Sequence, residues 1–156
     1  MFSGNKANVG GAIGGYVNIT GGTNMFYGNV ANNTGGAISS WTDGTFRATD
    51  GDLTFRGNRD GVGTDRAKAN AIYLANNSNN GTLALAAEEG RSIYFHDPVT
   101  SNSYNQSLAI NINHQATDTG RVVFDGSDYT RFVDKHSAVY GDTTIGYGEL
   151  ALKADY

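Results

Sequence analysis

Four pairs of acidic side chains have the residue type and spacing that could do chemistry. Glycoside hydrolysis needs two carboxyl groups about 5–9.5 Å apart. The close acidic pairs in the sequence are Asp50 and Asp52, Asp60 and Asp65, Glu88 and Glu89, and Asp125 and Asp128. They lie beside glycine or in predicted turns, where aspartate is favoured because its side chain accepts hydrogen bonds from the nearby backbone. We therefore predict turn structure for them and keep a polysaccharide-processing enzyme as an alternative.

The remaining reactive residue types form no recognisable site. His96, His114 and His136 are isolated and lack the H-x-H or HExxH spacing of a metal centre, so we expect structural or surface roles. Cysteine is absent, and so is the G-x-S-x-G motif of a serine nucleophile. Calcium at residues 125–128 is disfavoured because the nonapeptide calcium repeat is missing. We expect no catalytic residue, no metal and no cofactor.

The composition indicates an all-β protein. The 156 residues include 22 glycines and one proline, only 17% are charged, and asparagine, threonine and aromatic residues replace the helix formers. The net charge is −4, and no run of lysine and arginine is present that could neutralise phosphates. No apolar run approaches the roughly 20 residues of a membrane-spanning helix. We therefore expect neither nucleic-acid binding nor membrane contact.

Two short motifs recur along the first half of the chain. F-x-G-N occurs at residues 2–5, 26–29 and 55–58, in steps of 24 and 29 residues. GGAI occurs at residues 10–13 and 35–38, and residues 71–74 form a degenerate third copy. Between these motifs lie alternating runs of only 3–5 residues, too short to be stable alone. A period near 25 with several short strands is typical of a solenoid, and a parallel β-helix of about six coils fits it.

In such a coil, equivalent residues lie one above another at the ordinary strand spacing of about 4.8 Å. The predicted structural columns are Phe2, Phe26 and Phe55; Ile13, Ile38 and Ile72; and Asn5, Asn29 and Asn58. The apolar columns are expected inside, and the asparagines are expected at a turn, where their side chains bond to the backbone or to one another. Two insertions, 41–44 and 59–69, are expected to protrude as loops on one face.

Residues 1–156 are predicted to form a single β-helix segment, whose two parts differ in sequence pattern. Residues 1–82 contain the repeats, and residues 83–156 form less regular, later coils with longer strands. No linker-like stretch separates the two parts. Met1 aligns with Met25 inside the repeat, so we expect this segment to come from a longer protein.

The combined motifs resemble a known family. F-x-x-N and GGAI alternate in the first half, and "SIYFHDPVTSNS", "LAININ", "GRVVFDGS" and "GDTTIGYGELALKADY" follow in the second. The chain is similar over nearly its whole length to the passenger domains of autotransporters, specifically the chlamydial-type polymorphic outer membrane proteins. The resemblance implies a long right-handed β-helix. It also implies secretion through a C-terminal outer-membrane barrel that these residues do not contain, and display on the bacterial surface as an adhesin and virulence factor.

This resemblance favours a non-catalytic interaction rod. The implied partner is a host-cell or matrix receptor, either protein or glycan. Because the motif phenylalanines and isoleucines should face inward, we expect partner contacts from aromatic residues on loops, Trp41 above all. The other contact candidates are Tyr16, Tyr27, Tyr104 and Tyr129. A self-assembling fibre subunit, joined head to tail through open strand edges, remains a second alternative.

Overall fold

The computed structural model describes residues 1–41, 43–75, 81–102, 108–139 and 141–153. Within these ranges the chain forms 19 short β-strands and one helix of four residues, α1 (Phe132–Lys135). The strands pair into four sheets, which we call A to D in the order in which the chain first visits them. Within each sheet, strands from successive passes of the chain lie side by side.

Sheet A has six strands, and their spatial order is their chain order. They are β1 (Phe2–Ser3), β5 (Asn24–Tyr27), β9 (Leu53–Arg56), β14 (Ser92–Phe95), β17 (Arg121–Asp125) and β19 (Glu149–Lys153). Every neighbouring pair is parallel. We number the coils one to six by these strands.

Sheet B has four strands from the first three coils. They are β2 (Lys6–Val9), β6 (Val30–Thr34), β10 (Arg59–Asp60) and β11 (Lys68–Ala69). The pairs from different coils are parallel, whereas β10 and β11 belong to one coil and pair antiparallel.

Sheets C and D complete the coils, and all their pairs are parallel. Sheet C has β3 (Ile13–Gly14), β7 (Ile38–Ser40), β12 (Ile72–Leu74) and β15 (Val99–Ser101). Sheet D has β4 (Val17–Thr20), β8 (Gly44–Ala48), β13 (Thr82–Ala87), β16 (Leu108–Ile112) and β18 (Gly141–Ile145). The predicted parallel β-helix is confirmed. Its right-handedness stays a prediction, which agrees with the hand of nearly all parallel crossovers.

Stacked side chains fill the interior. The ring centroids of Phe2, Phe26 and Phe55 follow one another at 4.7 and 4.8 Å. The stack then continues through Phe95 and Phe124, at 4.8 and 5.0 Å. These steps match the spacing of neighbouring strands, so the rings lie in parallel, one in each of the first five coils, and Leu152 takes this position in the sixth. Phe2 is 37% exposed because only one coil covers it, whereas Phe26 and Phe55 are fully buried.

An aliphatic column runs along sheet C. Ile13, Ile38, Ile72 and Val99 are aligned across the four strands. Ile38, Ile72 and Val99 are fully buried, and Ile13 is half-buried in the first coil. Each residue is therefore covered by its equivalents in the neighbouring coils, which makes a narrow core continuous.

The glycine pair of GGAI closes the corner before this column. Gly35 has φ +72°, and a Cβ atom there would lie 2.3 Å from the carbonyl oxygen of Ile38. Gly36 approaches the next coil so closely that a Cβ atom would lie 2.4 Å from the carbonyl oxygen of Asn70. The first glycine is thus required by the backbone conformation and the second by the distance between coils.

The fourth coil omits sheet B. Residues 96–98, all described, join β14 directly to β15, so β11 is left at the edge of sheet B. A segment of the fifth coil, residues 126–137, covers this edge, and we call it the clasp. Its helix α1 contacts β11. The Ala69 N–H donates to the Asp134 carboxylate, and Arg131 Nη1 donates to the Ala67 carbonyl at 3.0 Å. The clasp thereby protects an unpaired strand edge.

The expectation that residues 59–69 form a protruding loop on the same face as residues 41–44 is wrong. Residues 59–69 are not a protruding loop, because both ends form strands of sheet B, and the turn between them lies at the B-to-C corner. The other insertion follows β7 and lies at the C-to-D corner. The two therefore do not share one face. The physical reason is that backbone groups of a long insertion gain hydrogen bonds when they add a strand to an open sheet edge.

Candidate functional site: a polar groove on sheet B

The motif asparagines form a hydrogen-bonded ladder at the corner between sheets A and B. The side-chain amide and backbone N–H of Asn5 donate to Asn29 Oδ1 at 2.8 and 3.1 Å. The same two groups of Asn29 donate to Asn58 Oδ1 at 2.9 and 3.0 Å. Each inner amide also donates to a main-chain carbonyl: Asn29 to Phe2, and Asn58 to Phe26. Asn29 and Asn58 are fully buried, and their polar side-chain atoms find partners in the previous and the next coil.

Asp97 ends this ladder. Its Oδ2 accepts from the amide and backbone N–H of Asn58 at 2.6 and 2.9 Å, and its Oδ1 accepts from Gly57 N–H at 2.8 Å. The Tyr129 hydroxyl, from the clasp, donates to the same Oδ1 at 2.5 Å. Burial raises the pKa of Asp97, and these hydrogen bonds oppose the rise. The ladder thus changes from amide to carboxyl where the clasp reaches it.

A polar groove of about 590 Å³ lies at the end of strand β6. One wall is the end of β6, and the other is the turn between β10 and β11. The lining residues are Asn32, Asn33, Thr34, Asp60, Gly61, Thr64, Asp65, Arg66, Lys68 and Tyr73. The groove therefore brings together one of the predicted carboxylate pairs, two amides, two cations and a phenol.

Asp60 is the unusual group in the groove. The residue is only 2% exposed. Gly35 N–H donates to its Oδ2 at a long 3.4 Å, and Lys68 is its cross-strand partner. Burial raises the pKa of Asp60 to about 6, although the charge of Lys68 and the Gly35 hydrogen bond act in the opposite direction. Asp65 in the same groove is exposed, so the two carboxyls have different environments.

The other acidic candidates lie at corners or in ion pairs. Asp50 accepts from Gly22 N–H, which lowers its pKa, and Asp52 accepts from Ser92 N–H at 2.9 Å. Glu88 pairs with an arginine of β8 at 3.2 Å. In the remaining pair, Asp125, the last residue of β17, accepts from Ser127 N–H at 3.1 Å. Asp128, in the clasp, forms an ion pair with Arg56 at 3.0 Å. Glu89 is exposed. These carboxyls connect neighbouring residues or coils and do not converge on a groove.

The histidines do not gather around a metal position. His96 Nδ1 lies 3.6 Å from Asp128, and His114 is exposed. His136 is in the clasp. No cluster of three or more histidine or acidic residues with metal-binding geometry occurs in the part of the chain that the structure describes.

The aromatic contact candidates lie in different environments. Tyr16 is 66% exposed and Trp41 is 54% exposed, and both lie at the C-to-D corner of adjacent coils, between the aligned pairs Gly14–Ser39 and Val17–Gly44. Tyr27 is 50% exposed on the outer face of sheet A. Tyr104 lies outside the described residues. Tyr129 is not a free contact, because its hydroxyl is held by Asp97.

The sequence pattern did not reveal the role of Asp97. Phe95-His96-Asp97 is one residue shorter than F-x-G-N, so it does not match the repeat. A usable signal was nevertheless present, because a hydrogen-bonding side chain follows a motif phenylalanine in the fourth coil as in the first three. The other group that the pattern missed is Asp134, which caps β11 from 65 residues away.

Comparison with known proteins identifies relatives that match most of the segment. Among proteins of Chlamydia pneumoniae, the chain is 32% identical to the probable outer membrane protein pmp8 over 141 residues, which cover 82% of this chain and 15% of the relative. It is 33% identical to probable outer membrane protein pmp2 over 152 residues, or 87% and 18% of the two chains. It is 34% identical to probable outer membrane protein pmp10 over 156 residues, or 91% and 16%.

The segment is a homologue of the chlamydial polymorphic outer membrane proteins. The resemblance inferred from GGAI and F-x-x-N is thereby confirmed. The chain spans about a sixth of the length of the relatives that it matches. No family model matches it, and no solved structure does.

The names of these relatives are consistent with a localisation at the bacterial cell surface. Each is described as a probable outer membrane protein. In the described ranges of this segment, none of the helices is long and apolar enough to cross a membrane.

Proposed function

We propose that the segment is a non-catalytic stretch of an autotransporter passenger domain and acts as an adhesive rod towards a host-cell or matrix receptor. The proposal is supported by the separate roles of buried and exposed residues. The motif residues Phe26, Phe55, Asn29 and Asn58 are fully buried and hold the coils together. They are therefore scaffold, and partner contacts fall to the outer corners.

The C-to-D corner supplies the strongest exposed contact residues. Tyr16 and Trp41 are both more than half exposed on adjacent coils. Exposed tyrosine and tryptophan anchor interfaces because their large rings bury much apolar area at low entropic cost. Their placement at one corner gives the rod a local patch that a receptor could cover.

Binding of the purified segment to epithelial cells and to immobilised matrix proteins tests this proposal. We expect saturable binding by the unaltered segment, weakened at least about tenfold by the double substitution Tyr16→Ala with Trp41→Ala. The matched control removes two other exposed apolar side chains, Met25→Ala with Tyr147→Ala, and should bind like the unaltered segment. Absence of binding to every surface, or equal loss in both variants, would contradict the proposal.

A further inference from the structure

The groove on sheet B has the side-chain chemistry of a site for a polar, uncharged ligand. Two carboxyls, Asp60 and Asp65, are balanced by two cations, Arg66 and Lys68. The rest of the lining is amide, hydroxyl and phenol. These groups can both donate and accept hydrogen bonds. Such a lining disfavours a lipid, because it contains no aliphatic hydrophobic residue among those the structure describes, and it disfavours a highly charged polymer, because its charges cancel.

The wall formed by residues 61–67 is a hydrogen-bonded turn with a defined shape. The Thr64 side chain donates to the Gly61 carbonyl at 2.6 Å and accepts from Arg66 N–H at 3.1 Å. The turn is tied to the second coil, because Val62 N–H donates to the Ala31 carbonyl at 3.3 Å. The opposite wall is strand β6. Both walls therefore have fixed backbones, which lowers the entropic cost of binding a ligand.

Asp60 is a buried carboxyl beside the groove, and few donors reach it. Only 2% of the surface of this residue is exposed. The only hydrogen-bond donor described for its carboxyl is the Gly35 N–H, at a long distance of 3.4 Å. A buried carboxyl normally has its acceptor capacity filled, because a buried acceptor without a donor destabilises the fold. Asp60 lines the groove, so a hydroxyl donor placed there would fill this capacity.

We propose that this groove binds a neutral, hydroxyl-rich glycan. The inference rests on the proposed adhesive function and names the ligand class of one site on the rod. The groove volume of about 590 Å³ lies within the 300–1,000 Å³ usual for small-ligand sites. Sugar hydroxyls can donate to Asp60 and Asp65 and accept from the amides of Asn32 and Asn33. The site differs from the C-to-D corner, where contacts would be aromatic.

The test uses the 156-residue segment and a panel of oligosaccharides. The neutral probes are N-acetyllactosamine oligomers, high-mannose oligosaccharides and cello-oligosaccharides, and the charged comparison probes are heparin fragments and sialylated oligosaccharides. Ligand-detected NMR finds the binders, and titration gives the Kd of the tightest neutral probe. We expect a neutral probe to bind, and the double substitution Asp65→Ala with Arg66→Ala to weaken it about tenfold or more.

The control double substitution, Asp142→Ala with Lys6→Ala, removes one exposed acid and one exposed base outside the groove and likewise leaves the net charge unchanged. It should leave the Kd unchanged. Asn33→Ala should weaken binding ~2- to 10-fold, while Asn18→Ala outside the groove should not. Unchanged urea midpoints would show that all four variants are folded.

Three results overturn the proposal: no neutral probe binds, the groove variants bind like their controls, or the segment cleaves the probe so that new reducing ends appear. The adhesive function fails separately. Cell binding that survives in the groove variants, with no neutral probe bound, would leave the rod as an adhesin and remove the glycan site. Glycan binding by a segment that binds no cell or matrix surface would support the glycan site and contradict the adhesive function.

Discussion

The first three coils and the later coils connect to their neighbours differently, although one aromatic column runs through both, from Phe2 to Phe124. In the first three, every coil passes through all four sheets, and the motif asparagines bond to one another from coil to coil. In the fourth coil sheet B is skipped, and the fifth coil sends the clasp back to cover the exposed edge. In the first three coils the repeated asparagines connect one coil to the next, whereas in the later coils the clasp makes a contact with residues far away in the sequence.

The difference shows which features of a solenoid can be local. A ladder needs only one residue per coil at a constant position, so it tolerates steps of 24 and 29 residues between Asn5, Asn29 and Asn58. A corner that is left out cannot be repaired in the same way. Its open edge must be covered by residues from elsewhere, as Asp134 covers Ala69. The junction at Asp97, where the ladder meets the clasp, is therefore the point at which the two kinds of connection depend on each other.

The largest effect should come from the column that both parts share. Phe55→Ala removes a fully buried ring stacked on Phe26 and Phe95, and we expect the free energy of unfolding to fall by about 3–5 kcal/mol. Phe2→Ala should cost about 1 kcal/mol, because this ring is partly exposed and stacks on one side only. Urea unfolding measures both. Similar losses at the two positions would mean that the stacked rings do not form a shared core.

The ladder should respond next. Asn58→Ala leaves the buried Asn29 backbone N–H without its acceptor and removes the amide donor of the Phe26 carbonyl and one of the two donors of Asp97 Oδ2, so we expect a loss of about 2–4 kcal/mol. Asn5→Ala should cost about 0.5–1 kcal/mol, since Asn5 is exposed and bonds only to Asn29. Urea midpoints of the two variants make the comparison, with Asn18→Ala as a surface control. An equal cost at Asn5 and Asn58 would contradict a buried, one-directional ladder.

The fold class could be predicted because its signal repeats. F-x-G-N and GGAI recur with steps close to the length of one coil, and periodic contacts between equivalent residues are what a β-helix requires. The step from Phe55 to Phe95 is 40 residues, because the third coil contains the β10–β11 hairpin and the groove wall. Phe95 therefore could not be added to the column from spacing alone.

The clasp and the groove had no comparable local signal. Helix α1 has four residues, and no side chain caps its N-terminus, so nothing in its own sequence marks it as a helix. Its stability depends on β11, some 65 residues earlier in the chain. Asp60 looks like a turn aspartate beside Gly61. Its burial depends on a strand from the previous coil, which only the three-dimensional packing of the coils brings near.

The pH dependence of stability should report the burial of Asp60. The pKa of Asp60 rises from 3.8 to about 6 on folding, so the folded state binds the proton more tightly than the unfolded state. The contribution of Asp60 to the free energy of unfolding is therefore greatest below pH 4, is lost as pH rises from 4 to 6, and changes no further above 6. At about 1.4 kcal/mol per pKa unit, the loss is about 1–3 kcal/mol.

Urea unfolding of the wild type and of Asp60→Asn at pH 4 and pH 7 measures this difference. The unaltered segment should lose more stability between these pH values than Asp60→Asn does, since the amide cannot ionise. Asp65→Asn, in the same groove but exposed, should behave like the unaltered segment. If Asp60→Asn keeps the full pH dependence, the pKa of Asp60 is not raised and the account of its burial is wrong.

The smallest effect tests whether ladder and clasp depend on each other through Asp97. Tyr129→Phe removes the hydroxyl that donates to Asp97 Oδ1, and we expect a loss of about 1–2 kcal/mol in the free energy of unfolding. Asn58 donates to the other oxygen of the same carboxyl. The double variant Asn58→Ala with Tyr129→Phe should therefore be non-additive by about 0.5 kcal/mol or more, because the two partners share one carboxyl. Asn58→Ala with Tyr27→Phe is the matched cycle without a shared partner and should be additive. Additivity in both cycles would show that the clasp stabilises the later coils independently of the ladder.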